Sequence, residues 1–150
     1  MQQFDYNVLS LRTNVSNREL DDPCAVIQVD FEIQNVGHMA GDEVVQLYVE
    51  QFVKSVPVPI IRLADFERVE NVQVQEKRNV TLYLTPRYRS VVYDQDKEPF
   101  HTPNIMIEGS DVHGGGITLS VGGGLPGSGV IATSIRVLKS APLSSCANQD

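Results

Sequence analysis

Acidic side chains are the residues with the most evident chemical potential in this sequence. Asp42 and Glu43 stand side by side, and paired carboxylates can hydrolyse a bond that they flank together. Adjacent residues of a strand project to opposite faces, so this pair is expected to serve as turn and strand-start residues. Asp94, Asp96 and Glu98 alternate as calcium ligands do. The central Gly and closing Glu of an EF-hand loop are missing, and a solvated hairpin tip is expected. His38, His101, Asp111 and His113 fit no zinc spacing and read as loop residues. The runs Gly114–Gly116 and Gly122–Gly124 lack the Lys-Ser/Thr of a phosphate loop, and no helix follows either. No serine sits in a Gly-x-Ser-x-Gly elbow. The expectation is a chain with no catalytic, cofactor-binding or metal-binding residues.

The elements that carry these residues read as strands. From Ala25 to Gln34, Ala25, Ile27, Val29, Phe31 and Ile33 share one face, and Gln28, Asp30, Glu32 and Gln34 share the other. Val45, Leu47 and Val49 alternate with Val44, Gln46 and Tyr48. The outer row is itself partly apolar, which marks a face that something covers. Further alternating runs lie at Val80–Leu84, Ile117–Val121 and Ile131–Val137, with shorter ones at Val91–Tyr93 and Ile105–Ile107. Phe4, Tyr6 and Val8 alternate before Leu9 and Leu11 change phase, as across a β-bulge. Pro57 and Pro59 confine their segment to an edge or connector. Residues 60–69 mix polar and apolar types, with Ile61, Leu63 and Phe66 as expected core anchors. Seven to nine short strands joined by Gly, Pro and Asn turns predict an all-β antiparallel sandwich. The absence of Trp excludes the Cys–Trp–Cys pattern of antibody domains, while Tyr88 and Tyr93 are candidates for a tyrosine corner.

Composition narrows the function classes. With 150 residues and 41% hydrophobic content, one packed domain is expected. The formal net charge of −7, with no Lys/Arg run, argues against nucleic acid and against anionic membrane surfaces. No apolar stretch approaches the ~20 residues of a membrane helix, and Met1–Asp5 does not begin a signal peptide. Asn14-Val15-Ser16 and Asn79-Val80-Thr81 are acceptor triplets for N-glycosylation. Cys24 and Cys146 permit one disulfide without requiring it. The Ser-, Pro- and Asn-rich surroundings of Cys146 offer little to hold it, which weighs against pairing. Residues 1–139 are expected to form the sandwich and residues 140–150 a disordered tail.

Nine consecutive residues, Gly41-Asp42-Glu43-Val44-Val45-Gln46-Leu47-Tyr48-Val49, follow Asn35-Val36-Gly37. Together they resemble the signature of the C-terminal fibronectin type III-like domain of family 3 glycoside hydrolases, the β-glucosidases and β-xylosidases. Other landmarks follow in order: Ser55–Pro59, Leu63–Val69, Glu76–Leu82, Val91–Asp94 and Leu119–Gly123. Asp65 and Gln75 stand where that family usually has Gly. The stretch from Phe100 to Gly116 is longer than usual, and the strand near residues 129–138 is atypical. The resemblance implies an immunoglobulin/fibronectin type III-like sandwich whose partners are catalytic domains in the same polypeptide, where the catalytic Asp and Glu reside. It also implies an extracellular setting if the parent follows the family. Val44, Gln46 and Tyr48 form the candidate docking face. A carbohydrate-binding or cell-surface sandwich is the alternative, with the tyrosines as the available sugar platforms.

Overall fold

Alternation of side chains along nearly every segment leaves the chain one stable solution: strands that turn their apolar rows toward each other. The computed structural model describes residues 4–12, 15–16, 19–51, 60–93, 104–107, 109, 116–124 and 131–147. The longer strands are β1 (Phe4–Arg12), β4 (Ile27–Asn35), β5 (Gly41–Gln51), β6 (Ile60–Val72), β7 (Lys77–Leu84), β10 (Gly116–Gly122) and β11 (Ile131–Val137). Short ones are β2 (Val15–Ser16), β3 (Glu19–Leu20), β8 (Ser90–Tyr93), β9 (Asn104–Ile107) and β12 (Ala141–Pro142). Two single 3₁₀ turns, Pro86–Arg89 and Leu143–Ser145, are the only helical pieces among the described residues.

One sheet has the order β1-β4-β7, and the larger one β2-β3-β11-β10-β5-β6. Pairing is antiparallel apart from the short parallel contact of β11 with β3. Ile27, Val29 and Ile33, all fully buried, face Val45, Leu47, Val49, Leu119 and Val121, which are equally inaccessible. Each such side chain contributes roughly 1.5–3 kcal/mol relative to exposure. Phe31 stacks on Tyr6 of β1, with ring centroids 6.1 Å apart. The phase change expected in β1 is a break in register between Asn7 and Ser10.

A third sheet, β12-β9-β8, corrects the expectation of a disordered tail for the described part of that segment, through residue 147. Ala141 and Pro142 pair with Ile107 and Met106, and Leu143 and Cys146 are buried. Held in this way, Cys146 reaches Cys24, and the two form a disulfide spanning 122 residues. Pairing therefore prevails over the sequence-based expectation. The pleat of β9 supplies the anchor that tail composition alone does not reveal. Gly109 lets the chain pass here, since a Cβ on it would sit 2.3 Å from the Lys139 carbonyl carbon.

Ile61, Leu63 and Phe66 are not core anchors. They are 47%, 40% and 63% exposed, while Ala64, Val69 and Val72 fill the interior. The cause is a register shift between β5 and β6: Leu47 pairs with Asp65 but Tyr48 with Leu63, leaving Ala64 as an extra residue. Such a bulge re-aims the side chains on either side of it.

Candidate functional site

The two carboxylates of the Gly-Asp-Glu motif diverge, as strand geometry requires. Asp42 Oδ1 accepts the Asn71 N–H at 2.8 Å and Oδ2 accepts Arg68 Nη2 at 2.6 Å. These contacts, the backbone one first, hold its carboxyl below the usual range. Asn71 lies at φ 52°, a left-handed conformation that Asn tolerates better than most residues. Glu43 instead crosses to the other sheet, where Oε2 accepts the Tyr6 hydroxyl at 2.7 Å. Burial, and then the adjacent carboxylate, push the Tyr6 phenol well above its ordinary value. Gly123 stands against this pair, and a Cβ there would approach Glu43 Oε2 to 2.9 Å. Each acid is occupied by the fold, one tying β5 to the end of β6 and the other tying β5 to β1.

Asn35 is the hub of the same end of the sandwich. Its side chain is fully buried. Nδ2 donates to the carbonyls of Met39 (2.8 Å) and Val72 (2.9 Å), and Oδ1 accepts the Gly37 N–H at 2.9 Å. Its backbone N–H and carbonyl pair with Glu76 and Gln75. One Asn thus closes the β4–β5 turn and locks it to the β6–β7 hairpin. Gln75, at φ 66°, adopts the left-handed conformation where the related family usually has Gly. Glu76 is held below its ordinary value by Arg78, whose Nε donates at 2.7 Å, and by the Gln73 N–H.

Val44, Gln46 and Tyr48 do share the outer face of β5, with Val44 exposed and the other two half-buried. Register sets Arg68 opposite Val44, Phe66 opposite Gln46 and Leu63 opposite Tyr48. On the other side, Ser120 faces Tyr48 and Gly122 faces Gln46. Gln46 Nε2 donates to the Gly123 carbonyl at 3.4 Å. The result is an apolar row over β5 and the edge strand β6, edged by Arg68 and Glu50.

Sequence reasoning misses Arg89. Its residue is 2% exposed, Nη2 donates to the Ala25 carbonyl, and Nε and Nη1 have no partner among the described residues. Burial draws its pKa down to about 10, against the opposing pull of Asp22. No apolar periodicity marks such a residue, since an Arg on a strand or turn reads as solvated. Tyr88 is 38% exposed, so it builds no buried tyrosine corner. The side chain of Tyr93 and residues Asp94, Asp96, Glu98, His101, Asp111 and His113 lie outside what is described. His38 is exposed, and the described residues include no cluster of three or more metal-ligating side chains.

Two sheets packed face to face, a β5–β6 edge pair and clamps that join the sheets at one end define a fibronectin type III-like β-sandwich. Residues 43–110 match the family model described as "Fibronectin type III-like domain". The chain is 31% identical over 121 residues to the thermostable β-glucosidase B of Acetivibrio thermocellus, a match covering 80% of this chain and 14% of that one. A solved β-glucosidase from Listeria innocua, in complex with isofagomine, superposes with TM-score 0.69 at 25% identity, over 92% of this chain and 16% of that one. β-Glucosidase 3B from Thermotoga neapolitana shares the fold at TM-score 0.69 and 18% identity, over 94% of this chain and 16% of its own. These likenesses to a fibronectin type III-like domain and to parts of β-glucosidases are consistent with the resemblance of Gly41–Val49 to the C-terminal domain of family 3 glycoside hydrolases. It spans 11% and 14% of the lengths of the curated relatives it matches.

Proposed function

We propose that this chain is a non-catalytic accessory module of a family 3 glycoside hydrolase. In this reading it docks through the outer face of β5 and β6 onto the catalytic domains of the same polypeptide, which carry the Asp and Glu that cleave the glycosidic bond. The observation that carries the proposal is the apolar row of Val44, Tyr48, Leu63 and Phe66 on one face, with Phe66 63% exposed. Apolar residues grouped this way mark an interface. The large remainder of the relatives' chains, of which this domain matches 16% in the Listeria protein, supplies the occupant. Asp42 and Glu43 do not converge and each is engaged within the fold, which supports a role in scaffolding.

The test has two arms. The chain by itself is expected to leave nitrophenyl glucosides and xylosides intact. Turnover lost on Asp42→Asn or Glu43→Gln would overturn the non-catalytic reading. Added to a separately produced catalytic part, the module is expected to bind, and Tyr48→Asp with Phe66→Asp to weaken binding about tenfold or more while leaving the module's own unfolding unchanged. Binding indifferent to both substitutions would place the interface elsewhere.

A further inference from the structure

The outer face of the three-stranded sheet lies on the side of the sandwich away from β5 and β6, and it is polar. Along β7, Val80, Leu82 and Leu84 point into the core, while Lys77, Asn79 and Tyr83 are exposed on the other side. Across from them on β4, Gln34 pairs with Lys77, Glu32 with Asn79 and Asp30 with Thr81. Asn79 heads the triplet Asn79-Val80-Thr81, whose pattern is that of an N-glycosylation acceptor. The backbone of this triplet also borders open space. At one end of β7 the Glu76 carbonyl accepts from Asn35 of β4, but at the other the Tyr83 N–H goes to Asp65 and not to β4. Alternation along an antiparallel pair places Asn79 and Thr81 in phase with Tyr83, facing the open edge. No strand pairs beyond β7 in this sheet among the described residues.

We propose that Asn79 is an N-glycosylation site, modified before β7 pairs with β4. The Cys24–Cys146 disulfide supplies the second observation. Both cysteines of the chain are joined in it, and such bonds form and persist in oxidising compartments, the setting in which eukaryotic N-glycans are attached. The transfer is a substitution. The Asn79 amide nitrogen attacks the anomeric carbon of an oligosaccharide held on a lipid diphosphate. A C–N bond forms, the C–O bond to the diphosphate breaks, the lipid diphosphate leaves, and the amide gives one proton to solvent. The contacts set the order of events. A transferase must grip the acceptor amide together with the hydroxyl two residues on. In the fold Thr81 Oγ1 donates to Asp30 Oδ1 at 2.6 Å, and Val80, 3% exposed, is turned into the core. The triplet is therefore withheld once β7 is paired, and open while the chain is still extended. The attached glycan has room, because Asn79 is exposed. It stands opposite the face of Val44, Gln46 and Tyr48, so it leaves that face clear and neither proposal depends on the other. Asn14, which heads the other acceptor triplet, lies outside the described residues.

The test uses the 150-residue chain exported from insect cells behind a cleavable leader, with Asn14→Gln so that Asn79 heads the one remaining triplet. Peptide-N-glycosidase F in ¹⁸O-water converts an occupied Asn into heavy-oxygen Asp, which peptide mass spectrometry reads. The mark is expected at residue 79 in most of the secreted chain, together with the disulfide-linked peptides of Cys24 and Cys146. It should vanish in Asn79→Gln, an exposed substitution that leaves the unfolding temperature at the parent's. It should persist in Thr81→Ser, which keeps both the triplet and a hydroxyl for Asp30. An unmodified Asn79 in the secreted chain overturns the site, and a secreted chain with both thiols free overturns the argument from the disulfide. Detergent-solubilised microsomes with a lipid-linked donor test the order, using unglycosylated chain made in bacteria. The reduced, alkylated chain is expected to accept glycan about tenfold or more better than the folded, disulfide-bonded one, in which the triplet is reached only by local opening. Equal acceptance by the two overturns the order of events.

Discussion

Asn35→Ala is expected to destabilise the domain by about 3–4 kcal/mol, since it deprives three backbone groups of their partners at once. Those groups differ in what they can do next. The Met39 carbonyl belongs to a residue that is 65% exposed and can turn to water. The Gly37 N–H and the Val72 carbonyl sit in a buried environment, and Val72 is fully inaccessible. Two stranded buried groups at ~1–3 kcal/mol each, less what relaxation returns, give that range. It is a large share of a typical stability of ~5–15 kcal/mol. Asn35→Asp sharpens the argument. It keeps an acceptor for Gly37 but replaces a double donor with an oxygen aimed at two carbonyls, so it should be no better than Ala despite its near-identical shape. Gln34→Ala removes an exposed hydrogen bond to Gln75 and should change stability by less than ~0.5 kcal/mol. Urea unfolding followed by far-UV circular dichroism measures all three. An Asn35→Ala variant within ~1 kcal/mol of the parent, or an Asp variant clearly more stable than Ala, would refute the hub reasoning.

Three further outcomes follow from the same contacts. Tyr6→Phe and Glu43→Gln are expected to couple by about 1–2 kcal/mol in a double-mutant cycle, because the phenol bonds a part-buried carboxylate; additive effects would deny the clamp. Reducing the Cys24–Cys146 bond, or Cys146→Ser, should lower stability by ~2–5 kcal/mol, the upper end being the chain-entropy value for its 122-residue span. A melting temperature unmoved by reductant would contradict this. Asp42 and Glu76 have folded-state values below their ordinary 3.8 and 4.5. Their contribution is therefore present above those values and drains away as pH falls through the lower folded ones. Denaturant midpoints should drop in that acid window, and the drop should flatten in Asp42→Asn with Glu76→Gln.

How much of this was legible depends on the range of the interaction. The faces of β4 and β5 follow from alternation alone, because period two needs no knowledge of the partner strand, and the phase change in β1 announces its own bulge. Ile61, Leu63 and Phe66 show the limit. Their apolar character is plain, but which face they take depends on a bulge created by pairing with β5, a fact that no window within β6 contains. The tail fails for a similar reason. Its composition favours fraying, and only β9, more than thirty residues earlier, converts it into a strand and delivers Cys146 to Cys24. Arg89 leaves no trace at all, since burial of a guanidinium against the Ala25 carbonyl breaks the rule by which charge is read as surface.

The same distinction governs what the acidic motif means. Asp42 and Glu43 attract attention because carboxylates do chemistry, but a catalytic carboxylate must keep lone pairs directed at a substrate. Here Asp42 spends both oxygens on Asn71 and Arg68, and Glu43 commits Oε2 to Tyr6 behind Gly123. By that criterion the side chains with capacity to meet something outside the fold lie elsewhere, in the apolar row from Val44 to Phe66. That row surrounds Gln46, whose amide is turned to the Gly123 carbonyl, and it suits a packed protein surface. Phe66→Asp is therefore expected to weaken binding to the catalytic part, and Asp42→Asn, which alters only contacts within the fold, to leave that binding unchanged.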